Sequence, residues 1–133
     1  MDKFWKQFKS GTDIRGVASE GVAGQKINLT DEVVEKISAG FVLWLSKKAN
    51  KPADQLIISV GHDSRISASR IQAAVTRALE PAGVTVYDCG LASTPSMFMT
   101  TVDLKCDGAV QITASHHPFN RNGLKVFLPL TEA

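Results

Sequence analysis

The chain has 133 residues, 44% of them hydrophobic and 21% charged, with a formal net charge of +2. That is the size and apolar content of one domain around one core, and it argues against both a disordered polyelectrolyte and a broad basic surface for nucleic acid. No apolar run is long enough for a secretory leader or a membrane span, so a cytoplasmic protein with no membrane partner is expected.

Residues 11–24 are dense in glycine and lack periodicity, which predicts irregular backbone. Thr30 is placed to cap a helix whose first turn carries Asp31 and Glu32 at the positive end of the dipole. Val33, Ile37, Phe41, Trp44 and Leu45 fall on one face of that helix, which should fade near Ala49, ahead of Pro52. Residues 56–60 are branched and apolar and end at Gly61, as a strand buried on both faces does. A helix beginning near Ser67 is predicted from the spacing of Ile71, Ala74, Val75, Ala78, Leu79 and Ala82, with Gly83 closing it in a left-handed conformation. A strand over 84–88 follows, then a short helix with Thr94 as cap and Pro95 at its first position. Strands over 109–113 and 124–128 flank a polar loop.

Helices and strands alternating in this way predict an α/β fold, a three-layer α/β/α sandwich with a mixed, mostly parallel sheet of about four strands. An antiparallel last pair would make the sheet mixed. No repeat or linker divides residues 1–133, which read as one domain. Cys89 and Cys106 are the only thiols, and in a reducing compartment both are expected as small buried hydrophobes. With His116 and His117 they match no familiar zinc spacing.

The chemistry concentrates in four clusters. Thr113, Ala114, Ser115, His116, His117 and Pro118 follow a predicted central strand, where open α/β sheets hold ligands. Ser115 has the surroundings of an accessible hydroxyl among proton-exchanging groups, although a polar turn satisfying its own backbone has the same composition. A serine hydrolase fits poorly, because there is no Gly-x-Ser-x-Gly elbow and no helix after Ser115. Arg15, between Gly11 and Gly16, offers a planar fork for a phosphate or else forms a surface pair with Asp13. Asp63 and Arg65 lie at a strand-to-helix junction able to bind an anion; pairing with neighbouring loops to shape a site's rim is the favoured role. Lys125, at the start of the last predicted strand, is near enough in sequence to fold toward Ser115, where arginine and histidine neighbours would lower its pKa; a solvated charge is the alternative.

Taken together, the runs Gly11 through Gly16, Val60 through Arg65, Thr113 through Pro118 and Asn122 through Lys125 resemble the first domain of the α-D-phosphohexomutases in both order and spacing. The resemblance implies that Ser115 carries a phosphate and donates it to a hexose monophosphate. Hexose 1- and 6-phosphates would interconvert through a bisphosphate, with glucose or mannose phosphates preferred over glucosamine or N-acetylglucosamine phosphates. It also implies Mg2+ bound through the phosphate on Ser115, with its main ligands outside this chain, and hexose 1,6-bisphosphate as activator. Arg15, His116 and Lys125 would surround the transferring group. His117, Asp63, Arg65 and Asn122 would bind phosphate or shape the site. The remaining domains of a four-domain polypeptide would be partners, leaving this piece inactive alone. His117 stands where asparagine is usual, and His62 where arginine or tyrosine is frequent. A binding or scaffolding module that has kept the fold without the reaction is the alternative.

Overall fold

The computed structural model describes residues 3–10, 13–114 and 117–129. A one-turn helix α1 (Lys3–Lys6) precedes two strands, β1 (Lys9–Ser10) and β2 (Asp13–Val17). The chain then runs through α2 (Asp31–Ala49), β3 (Ile57–His62), α3 (Ala68–Leu79), β4 (Thr85–Leu91), α4 (Thr94–Asp103), β5 (Gly108–Ile112) and β6 (Arg121–Phe127). The sheet has six strands in the order β1-β2-β6-β5-β3-β4. β3 pairs parallel with β4 and β5, while β5 with β6, β6 with β2 and β2 with β1 are antiparallel.

The α/β/α sandwich and the antiparallel last pair are as expected. Two expectations are corrected: the sheet has six strands rather than about four, and it is parallel only across β4, β3 and β5. Of the missed strands, β2 lies in the glycine-dense segment and β1 just before it. A ladder joins backbone groups and needs no side-chain alternation, so β2 forms even though Arg15 and Gly16 interrupt its apolar pattern.

The layers follow from the two-residue period of β6. Leu124 and Val126 share a groove with Ile37, Phe41 and Trp44 of α2, while Phe127 points the other way and meets Phe98 of α4 at 5.8 Å between ring centroids. α2 and α3 therefore cover one face and α4 the other. Val34, Val42 and Leu45 of α2 pack with Ile71, Val75 and Leu79 of α3 over Ile58, Val60, Val110, Ile112 and Leu124. Trp44 lies on the same helical face as Ile37 and Phe41, as expected, but it stacks on Phe41 at the flank of the helix and is 47% exposed.

Local chemistry fixes the helix ends. Thr30 Oγ1 accepts a hydrogen bond from the Val33 N–H at 3.2 Å, and Asn50, at φ +54°, closes α2 in the left-handed region that asparagine tolerates. Arg70 of α3 donates to Asp31 Oδ1 (2.6 Å), Ala18 O (2.7 Å) and Leu29 O (3.1 Å), pinning the long β2–α2 connection to the helix layer. α4 is capped by Ser93 rather than Thr94, which moves Pro95 one place into the first turn. Cys106 is buried as expected, whereas Cys89 on the edge strand β4 is only half-buried; burial pushes both thiols up, and Asp88 adds to the effect at Cys89. Among the described residues no helix is long and apolar enough to cross a membrane.

β6 begins at Arg121, three residues before the expected start, so Asn122 and Gly123 are strand residues and Lys125 is interior to the strand. Gly123 lies opposite Arg15 in the ladder. A Cβ there would collide with the Ile14 carbonyl oxygen and sit 2.8 Å from both Cδ and Nη1 of Arg15. The Gly123→Ala variant is therefore expected to lose about 3 kcal/mol of stability, through overpacking against backbone that has no room to shift. Urea unfolding checks this: a midpoint equal to wild type would mean that Arg15 does not cross the strand at this point. Thr30→Ala, which removes only a cap, should cost about 1 kcal/mol in the same measurement.

Candidate active site

β3 and β5 end at the same edge of the sheet, β2 ends there too, and β6 starts there, with Val17 opposite Arg121. The connection from β3 leads outward to β4 and that from β5 leads the other way to β6, so this edge holds the switch point where open sheets leave a ligand crevice. Asp63 follows β3 and Thr113 follows β5. The Asp63 N–H donates to Ile112 O at 3.1 Å, and the Thr113 hydroxyl donates to Asp63 Oδ2 at 2.7 Å. Asp63 Oδ1 accepts from the Arg65 N–H at 3.1 Å.

Arg65 spends its guanidinium on the main chain across the crevice. Nη1 donates to Pro118 O at 2.7 Å and Arg121 O at 3.2 Å, Nη2 donates to His117 O at 2.8 Å, and Nε faces Asp63 Oδ2 at 3.5 Å. The planar fork suits this task, since three carbonyls at different heights are reached from one rigid group.

Arg15 lies on β2, not in a loop, and its side chain is 3% exposed. Its Nη1 donates to Ile14 O at 2.9 Å and its Nη2 to Asp13 Oδ2 at 3.3 Å, while Lys125 Nζ stands 3.5 Å from the same carboxylate oxygen. Burial lowers the Arg15 pKa most; Arg65 and Arg121 lower it further, and Asp13 and Asp63 oppose them. The Asp13 pair that the sequence allowed thus exists but is sunk into the sheet, where an unpaired guanidinium would be costly. Arg15, Lys125, Arg65 and Arg121 together bring positive charge to the side of the sheet from which residue 114 leads into the Ser115 loop.

Asn122 is fully buried, donating from Nδ2 to Ser67 Oγ at 2.9 Å and accepting from the Gly123 N–H at 2.9 Å. It joins β6 to the start of α3. Ser115 and His116 lie outside the described residues. The His117 N–H donates to Ala114 O at 2.9 Å, and His117 lines a cleft of about 780 Å³ with Ser19, Glu20, Asp63, Arg65 and Phe119. Ser19, Glu20 and Phe119 were not expected at the site. They meet because the N–H groups of Ala18 and Ser19 both donate to Asn120 O (2.7 and 3.0 Å), a pairing across a hundred residues of chain that local sequence does not signal. Among the described residues no group of three or more His, Cys, Asp or Glu stands close enough to hold a metal, and Asp13 and Asp63 are already engaged as above.

Residues 6–130 match the family model described as phosphoglucomutase/phosphomannomutase, alpha/beta/alpha domain I. A phosphoglucosamine mutase of Campylobacter fetus is 36% identical over 117 residues, covering 88% of this chain and 24% of that protein. A phosphomannomutase of Escherichia coli is 33% identical over 114 residues, covering 86% of this chain and 22% of that protein. The structure of a phosphoglucomutase/phosphomannomutase family protein from Burkholderia thailandensis aligns with a TM-score of 0.68 at 26% identity, covering 88% of this chain and 25% of the other. The chain thus spans about a quarter of the length of these relatives. The matched span takes in the Arg15–Asp13–Lys125 group, the Asp63–Arg65 anchor and the loop between them, and the chain belongs to the phosphoglucomutase/phosphomannomutase family as its α/β/α domain I.

Proposed function

We propose that this domain carries, on Ser115, the phosphoryl group that a phosphohexomutase moves between the 1- and 6-positions of a hexose phosphate. The observation that supports this most is the anchoring of the described residues on both sides of Ser115 at the switch point: Thr113 to Asp63, and His117 to Arg65. A residue that must present a phosphate repeatedly in one orientation needs its flanks fixed, because phosphoryl transfer is catalysed almost wholly by positioning and charge.

In the forward half-reaction the bond from phosphorus to Ser115 Oγ breaks and a bond to the free sugar hydroxyl forms. The hydroxyl proton passes to a base, and the departing Oγ is protonated in turn. Lys125 and His116 are the candidates for these proton transfers. A phosphoserine carries close to two negative charges near pH 7, and Arg15, Lys125, Arg65 and Arg121 supply a field of the opposite sign. The returning half-reaction, with the bisphosphate reoriented, reverses the same bonds. The Mg2+ implied by the resemblance has no ligand set among the described residues, so no step here is drawn through it. Relatives named for glucosamine and for mannose both match this domain, consistent with sugar choice residing in other domains.

Exposure of the protein to a hexose 1,6-bisphosphate should add the mass of one phosphate, and Ser115→Ala should abolish the addition. An unmodified wild type would favour the binding-module alternative. Sustained turnover should be at least a hundredfold below that of a complete mutase in a coupled assay of the 133-residue chain, because catalysis by positioning fails when groups that orient the sugar are missing. Full turnover by this chain alone would overturn that expectation.

A further inference from the structure

We propose that Arg65, held by Asp63, is a positioning residue that sets the backbone on both sides of Ser115, and that it is not a ligand of the substrate's phosphate. The proposal rests on the phosphoserine reading of Ser115. An arginine in a phosphate enzyme invites the opposite assignment, but this one is committed elsewhere. Its side chain is 13% exposed, and it donates to the carbonyls of His117, Pro118 and Arg121 while pairing with Asp63. A phosphate binding to those same N–H groups would have to break the bonds to all three carbonyls, and the loss costs most at His117 and Arg121, where the bonds are partly buried.

The connectivity supports the same conclusion. One carboxylate, Asp63, takes the hydroxyl of Thr113 two residues before Ser115 on Oδ2, and on Oδ1 takes the N–H of Arg65, whose guanidinium takes the carbonyl of His117 two residues after Ser115. Both flanks are thereby referred to the end of β3, whose four interior residues are buried. The fork is essential to this arrangement. Lysine keeps the charge but brings its donors to one point, which does not serve carbonyls on His117, Pro118 and Arg121 together.

The test uses Arg65→Lys, with Asp63→Asn as a second variant that leaves the guanidinium in place. Two measurements are compared with wild type: amide exchange of peptides covering 111–124, and the rate of phosphate addition to Ser115 as a function of hexose 1,6-bisphosphate concentration. For Arg65→Lys the exchange over 117–121 should quicken about tenfold, the loss of hydrogen bonds to a charged donor, while exchange in α2 and β3 stays as in wild type. The maximal rate of phosphate addition should fall about a hundredfold, the size of effect expected of a misplaced reacting group, with the half-saturating concentration within about twofold of wild type. Asp63→Asn should shift both readouts in the same direction. An unchanged maximal rate with a raised half-saturating concentration would make Arg65 a phosphate ligand and overturn the proposal. So would exchange over 117–121 equal to wild type. Faster exchange throughout the sheet would also overturn it, by showing a general loss of stability. If the wild type accepts no phosphate, the phosphoserine reading fails, and the exchange measurement then decides alone whether Arg65 holds the loop backbone.

Discussion

The carboxylate of Asp63 sits where two parallel strands stop hydrogen-bonding to each other, and much of the site depends on how it replaces that pairing. Its N–H continues the ladder by one more bond, to Ile112 O, and its oxygens then take the Thr113 hydroxyl and the Arg65 N–H. Strand ends leave main-chain groups in need of partners. Here a side chain supplies them and fixes the directions in which the chain leaves β3 and β5. Arg65 extends the same logic to the carbonyls of His117, Pro118 and Arg121. The rim of the cleft is thus an extension of the sheet by side chains.

A second constraint lies one strand over. Arg15 is buried on β2, and it fits because the residue opposite it on β6 is Gly123, whose missing Cβ leaves room for the arginine stem. The guanidinium is then close enough to Asp13 to be paired and close enough to Arg65 and Arg121 to feel their charge. Glycine is a poor strand former, so its presence in the middle of β6 trades local propensity for this packing. The same register sets Lys125 on the face of Asp13, so one carboxylate is shared by two cations.

The helices and the central strands were legible because they obey periodicities that survive in one dimension. Thr30, Ala49, Gly83 and the run of Ile71, Ala74, Val75 and Leu79 sit where their patterns put them. Helical spacing gave Trp44 its face but does not say how far that face is covered; the residue lies at the border of the core. β2 was missed because its partner is a hundred residues away and its own residues, Arg15 and Gly16 among them, show no alternation. The start of β6 was missed for a related reason: Asn122 and Gly123 are loop formers by composition, and only burial against Ser67 and Arg15 makes them strand.

The sequence alone determined the alternating order of helices and central strands, the Thr30 cap and the Gly83 stop, and the four clusters whose order and spacing resemble a phosphohexomutase domain, since all of these reside in residue type and short-range spacing. Tertiary structure decided what each cluster does for the others. It turned Arg15 inward onto Asp13, gave Asp13 a second cation in Lys125, and brought Ser19 and Glu20 to the cleft through Asn120. It also made Arg65 a donor to backbone instead of an open cation. Those outcomes depend on which strands become neighbours and on the register between them, and a register set by long-range ladder bonds leaves no trace in the local order of the residues it joins.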